Sequence, residues 1–187
     1  EFTPRSVRTP RYRRATHART TVEAMRNLRY PGLTAFLFAT VHLAAAELFV
    51  APGGDDAAAG TREAPFATIQ RAQRDAGPGD TVFLRGGTYR MRGDRIAREE
   101  RIFAYVTLLD RSGEPGRPIR YRAFPGEKPV LDFTDVKPAG RRVHAFRVTG
   151  SWLHLEGFEV VGVQVTITGH TQSIGFDNQG SHNVYER

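Results

Sequence analysis

The feature that most restricts the fold of this chain is an internal echo at a fixed offset: Phe146, Gly150, Ser151 and Glu156 recur as Phe176, Gly180, Ser181 and Glu186. Self-similarity at a period of roughly 20–50 residues marks units that stack and share one continuous core, and this offset falls in that range. The match is partial, because Leu153 and Leu155 fall opposite Asn183 and Tyr185. Stacked units of this kind set Phe over Phe and Gly turn over Gly turn, and each unit buries its apolar face only against its neighbours.

Strands are what stack. Short apolar runs punctuated by Gly and Pro lie at 81–84, 102–109, 119–123, 130–133, 145–148, 153–161 and 163–168. In Trp152-Leu153-His154-Leu155-Glu156 the two Leu share one face and His154 and Glu156 the other, the period of a strand. A single segment has helical spacing. Phe66, Ile69, Ala72 and Ala76 fall near one face, with Gln70, Arg71, Gln73 and Arg74 elsewhere. Thr68 suits its N-cap, and Gly77-Pro78-Gly79 stops it. One helix leaves no room for repeated βαβ units. Its natural place is over the open N-terminal end of the stack, where apolar interior and strand edges would otherwise face water.

Charge argues against a nucleic-acid partner. Residues 1–46 hold eight Arg and only Glu1 and Glu23 as acids, a balance of +6 within the chain's total of +7. The remainder is nearly neutral, so the high pI belongs to a leader and not to a basic surface. Residues 1–24 are Arg- and Thr-rich without apolar period and read as a disordered leader or an over-extended start. The apolar run 33–46 is shorter than the roughly 20 residues of a membrane span. Arg26 and Arg29 precede it and Ala44 and Ala46 end it, the order of a secretory signal peptide over 25–46, with a mature start at Glu47. The expected protein is secreted, extracellular or periplasmic, with no stable membrane span. The absence of Cys excludes disulfides, thiolate catalysis and Cys-ligated zinc. Residues 47–187 then form the stacked domain. Its sequence stops inside the strand-like Asn183-Val184-Tyr185-Glu186, so the stack is expected to be truncated at its C-terminal end.

Several stretches are similar to a known family. Phe49-Val50-Ala51-Pro52, Pro65-Phe66-Ala67-Thr68-Ile69-Gln70, Pro78-Gly79-Asp80-Thr81-Val82 and Arg85-Gly86-Gly87-Thr88-Tyr89-Arg90 resemble the opening of secreted right-handed β-helix lyases. Pro118-Ile119-Arg120-Tyr121-Arg122-Ala123, with the following Pro125-Gly126-Glu127-Lys128-Pro129-Val130, resembles their second coil. The stretch from Trp152 to Glu186, with Gly162-Val163-Gln164-Val165 and Phe176-Asp177-Asn178-Gln179-Gly180-Ser181, resembles the ninth polysaccharide lyase family, which contains pectate and rhamnogalacturonan lyases. The resemblance covers residues 48–187. It implies an all-β, right-handed parallel β-helix with a short N-terminal capping helix.

The resemblance also implies calcium-assisted β-elimination on an acidic plant polysaccharide, with an Asp cluster and a Lys base in coils later than these. On that reading no catalytic residue lies in this chain, calcium belongs to the longer enzyme, and the protein is a monomer. Rival readings are a noncatalytic β-helix that binds carbohydrate or acts as an adhesin, and an alginate- or chondroitin-type lyase. Within the chain, His154, Glu156, Asp177 and Asn178 are the candidates to line a substrate. His154 and Glu156 share an outward strand face, and Asp177 and Asn178 lie in the last coil, where Asn also suits a stacking turn. Asp55-Asp56 and Asp132/Asp135 read as turn residues. His144, His154, His170 and His182 show no metal-binding spacing such as H-E-x-x-H, and no phosphate loop or nucleophile elbow occurs.

Overall fold

The computed structural model describes residues 44–164 and 173–187. The expected leader, the expected signal peptide up to residue 43, and most of the strand expected at 163–168 lie outside them.

The chain opens with β1 (Glu47–Val50) and helix α1 (Ile69–Asp75). Three coils follow, each contributing one strand to each of three sheets. They are β2 (Thr81–Leu84), β3 (Gly87–Arg90) and β5 (Phe103–Leu109); β6 (Ile119–Ala123), β7 (Pro129–Asp132) and β8 (Arg142–Val148); and β9 (Leu153–Glu156), β10 (Glu159–Val161) and β11 (Ile174–Asn178). β4 (Arg98–Glu100) precedes β5, and β12 (Val184–Glu186) begins the next turn. Sheet orders are β1-β2-β6-β9-β12, β10-β7-β3 and β11-β8-β5-β4. All pairs are parallel except β4 on β5. This is a three-sheet parallel β-helix.

Alternation in the strands explains which side chains fill it. In the first sheet Val82, Tyr121 and Leu155 form one inward column, and Leu84, Ile119 and Leu153 lie beside it, all buried. Leu131 and Tyr89 come from the second sheet; Val106, Val143, Phe146 and Val148 come from the third. Each such side chain stabilises by about 1.5–3 kcal/mol on burial. The Tyr89 hydroxyl, buried with them, donates to a backbone carbonyl at 2.8 Å, those of Val50 and Arg85 both lying in reach.

Register explains the echo in the sequence. Phe176 pairs with Phe146, and their rings stack at 4.9 Å and 15°. A Cβ at Gly180 would collide with the Gly150 carbonyl, and one at Gly150 with that of Arg111, so these turns need glycine for close approach. Earlier coils are longer. Glu47 pairs with Thr81, Thr81 with Arg120, Arg120 with His154 and His154 with Val184, so the second of these steps is the longest and the last the shortest.

Helix α1 covers the first end. Thr68 is extended at φ −131° and ψ 149°, and its hydroxyl accepts from the Arg71 amide at 3.1 Å. Phe66, Ile69, Ala72 and Ala76 are buried. Gln73 is buried too, although its sequence position suggests the polar side. Its amide donates to the Leu108 carbonyl at 2.5 Å, and Gln70 donates to the Val106 carbonyl at 2.8 Å. The helix thus docks Gln73 on the β5 edge beyond the reach of β4, while Gln70 shares the Val106 carbonyl with the Ala97 amide, which donates to it at 3.2 Å.

Two further differences from the sequence reading have simple causes. The run 153–161 is two strands, because Gly157 at φ 77° turns the chain from the first sheet to the second. β3 and β4 are rich in charged residues and Gly, and they carry no apolar alternation that could announce them.

Candidate functional site

The two pairs of candidates lie on different sheets. His154 and Glu156 project from β9 on the outer face of the first sheet, where the register sets Arg122 on one side of Glu156 and Glu186 on the other. Arg122 Nη2 donates to Glu156 Oε1 at 3.1 Å. His154 Nε2 lies 3.2 Å from Glu186 Oε2, an ion-pair separation, but without the alignment of a hydrogen bond. Donor atoms of His154, Glu156 and Glu186 all lie within 4.8 Å of one another. The echo in the sequence already aligns Glu186 with Glu156, so that partner was within reach of sequence reasoning. Arg122 was not, since its coil is longer and breaks the offset.

Asp177 belongs to the third sheet. Its carboxylate accepts from Arg147 at 2.5 Å and lies 3.1 Å from His144 Nδ1. Arg147 also donates to Gln179 Oε1 at 2.7 Å. The Phe103 and Tyr105 rings stand edge-on to His144 at 5.0 and 5.1 Å. Burial pushes the His144 imidazole below its ordinary pKa, against the opposing pull of Asp177. The surroundings describe a packed ion-pair network linking two coils. Asn178 accepts from Asn183 Nδ2 at 2.8 Å. Asn183 is the stacking amide that the sequence reading missed: its Oδ1 accepts from the Leu153 amide and its Nδ2 donates to the Gly150 carbonyl, both at 2.9 Å.

Three other carboxylates singled out in the sequence, Asp55, Asp56 and Asp132, hold the backbone. Asp56 accepts from the Ala67 and Thr68 amides at 2.9 and 2.8 Å, Asp55 from Ala57 at 2.9 Å, and Asp132 from Thr134 at 2.9 Å. Hydrogen bonds from Thr134 hold the Asp132 carboxyl below the usual range. Calcium takes six to eight oxygen ligands. Among the described residues, the grouping of one imidazole and two carboxylates at His154, Glu156 and Glu186 does not fit that requirement.

Three parallel sheets in stacked coils, with Phe49 and Phe83 on the outer face of the first sheet at one end and Arg122, Glu156 and Glu186 farther along it, define a parallel β-helix of the type found in polysaccharide-degrading enzymes. A family model described as "Pel9A-like, right handed beta helix region" matches residues 48–187. The chain belongs to this family, which is a polysaccharide lyase family.

Relatives agree. Pectate lyase PEL9 of Emericella nidulans is 35% identical over 103 residues, covering 54% of this chain and 22% of that protein. The uncharacterized protein YwoF of Bacillus subtilis is 32% identical over 102 residues, covering 54% and 19%. Among solved structures, a rhamnogalacturonan lyase superposes with a TM-score of 0.67 at 40% identity, covering 70% of this chain and 32% of that one. Pectate lyase Pel9A gives 0.52 at 28% identity, covering 73% and 31%. The chain thus spans about a fifth of the curated relatives' length. Among the described residues no helix is long and apolar enough to cross a membrane.

Proposed function

We propose that these coils open a secreted polysaccharide lyase that cleaves galacturonate-containing pectin, either pectate or rhamnogalacturonan. The family match over 48–187 carries the reading, since the relatives include a pectate lyase and a rhamnogalacturonan lyase. In β-elimination a base removes the proton at C5, alpha to the uronate carboxylate. The C4–C5 double bond forms as the 4-linked oxygen departs with the C4–O electron pair. Calcium bound to the carboxylate would offset the developing negative charge as a Lewis acid. The contribution of this chain is scaffolding: rigid coils fix the face along which a sugar chain is held in register. Its only lysines, Lys128 and Lys137, flank turns and strand starts in an early coil and do not belong to the carboxylate grouping among the described residues.

The test is ultraviolet absorbance of the unsaturated product from polygalacturonate and rhamnogalacturonan with calcium. A protein extended through downstream sequence, recovered from culture medium with its N-terminus at Glu47, is expected to turn over one of the two and to lose activity with chelator. The 187-residue chain is expected to be inactive. Chelator-sensitive turnover by the short chain would place the active site in these coils. Release from alginate or chondroitin alone would overturn the substrate, and no release from any polymer would favour a binding role.

A further inference from the structure

The outer face of the first sheet carries a constellation that the lyase reading does not use. His154 and Glu156 stand on the same face of β9, and Glu186 is the register partner of Glu156 on β12. Adjacent parallel strands lie about 4.8 Å apart, so in-register carboxylates come close enough to repel unless a cation lies between them. Arg122 serves Glu156 from the far side through Oε1 and leaves Oε2 free of it. Among the described residues, Glu186 has the His154 imidazole beside it and no guanidinium. His154 Nε2 is itself buried from water and makes no hydrogen bond, though it lies 3.2 Å from Glu186. An imidazole nitrogen without a hydrogen bond, set beside two carboxylates, offers three donor atoms to one cation.

We propose that His154, Glu156 and Glu186 bind a divalent transition-metal ion of the zinc class. All three donor atoms lie within 4.8 Å of one another, so small side-chain rotations bring them to one ion at the roughly 2.0–2.2 Å that Zn²⁺ takes to nitrogen and carboxylate oxygen. The donor set selects the metal. Imidazole with carboxylates suits zinc and its neighbours, whereas calcium requires more oxygens than two carboxylates supply. Three protein ligands leave a fourth position for water. With two carboxylates and the Arg122 guanidinium, a dication leaves the cluster one charge positive and removes the repulsion between Glu156 and Glu186. The ion also ties β9 to β12 and so clamps two successive coils. The inference does not depend on the lyase reading, because its measurement involves no sugar.

The experiment is calorimetric titration of the 187-residue chain with zinc chloride in calcium-containing buffer, followed by cobalt(II) substitution read by visible absorption. The expected result is one zinc per chain, uncompeted by calcium, with a cobalt spectrum of mixed nitrogen and oxygen ligation. Glu186→Gln and His154→Ala should each weaken binding at least tenfold. Glu186 is exposed, so E186Q remains informative if H154A fails to fold. His182→Ala removes an exposed imidazole that stacks on Trp152 and should leave the isotherm unchanged. Absence of stoichiometric binding, binding that survives E186Q, or binding lost only in H182A would overturn the proposal.

Discussion

Phe146 and Phe176 occupy the same register position in successive coils, with rings stacked at 4.9 Å, yet Phe146 is 0% exposed and Phe176 38%. The surroundings differ, not the strands. Phe146 also meets Phe133 and Phe158, at 6.3 and 6.1 Å. Besides Phe146, Phe176 meets Tyr185, itself 39% exposed. At the opposite end the helix seals the interior, and Phe66 is fully buried. In a β-helix, burial is conferred by the next layer, whether that layer is a coil or a cap.

The sharpest way to break this comparison is to truncate both rings. Phe146→Ala should cost about 3–5 kcal/mol, the range for a buried aromatic with its cavity. Phe176→Ala should cost about 1–2 kcal/mol, since part of its surface is already in water. Denaturant midpoints measure both. Equal losses would mean that the coil carrying Phe176 is as well packed as the one before it, and that exposure does not set the energetics here.

A smaller effect tests the sealed end. Thr68→Ala removes the hydroxyl that accepts from Arg71 and should lower stability by about 1 kcal/mol. Thr68→Ser should recover much of it, because its hydroxyl can again accept from the Arg71 amide and donate to Asp56 Oδ2, as that of Thr68 does at 2.9 Å. If Ala is silent in thermal melts, the glutamine bonds from Gln70 and Gln73 to β5 hold the helix without its cap.

These effects follow the line between what was legible and what was not. The helix face, its cap and its stop were legible because Phe66, Ile69, Ala72, Ala76, Thr68 and Gly77-Pro78-Gly79 act locally. The Phe146–Phe176 stack was legible because the chain between those rings carries no insertion, and its Gly-Ser landmarks survive. The longer coils before it absorb insertions in their turns, so no fixed offset connects Arg122 to Glu156 and Thr81 to Arg120. Candidate residues fared alike. His154 and Glu156 were rightly assigned one outward face by their period, and the structure adds Glu186 to them. Asp177 and Asn178 are adjacent in sequence, but their side chains serve different partners, because alternation sends neighbours to opposite sides. Asn183 escaped notice because its amide replaces what is a leucine position one coil earlier.

The smallest expected effect concerns a tie between coils outside the core. Arg85 grips Glu127 through Nε at 2.9 and 3.0 Å and through Nη2 at 2.8 Å, and the Gly86 amide donates to the same carboxylate at 2.5 Å. Hydrogen bonding from Arg85, then from Gly86, holds the Glu127 carboxyl below its ordinary value of 4.5. A folded-state pKa below the unfolded one stabilises the fold above the unfolded value, and that stabilisation disappears as pH falls through the folded one. Both side chains are partly exposed, at 29% and 27%, so solvent screening limits Glu127→Gln to about 0.5–1 kcal/mol at neutral pH. The gap between wild type and variant should therefore be widest at about pH 7 and should narrow steadily below about pH 4.5. Urea midpoints measured down to about pH 3 follow the change. A gap that stays constant over that range would show that the shape of the Glu127 side chain, and not its charge, joins these two coils.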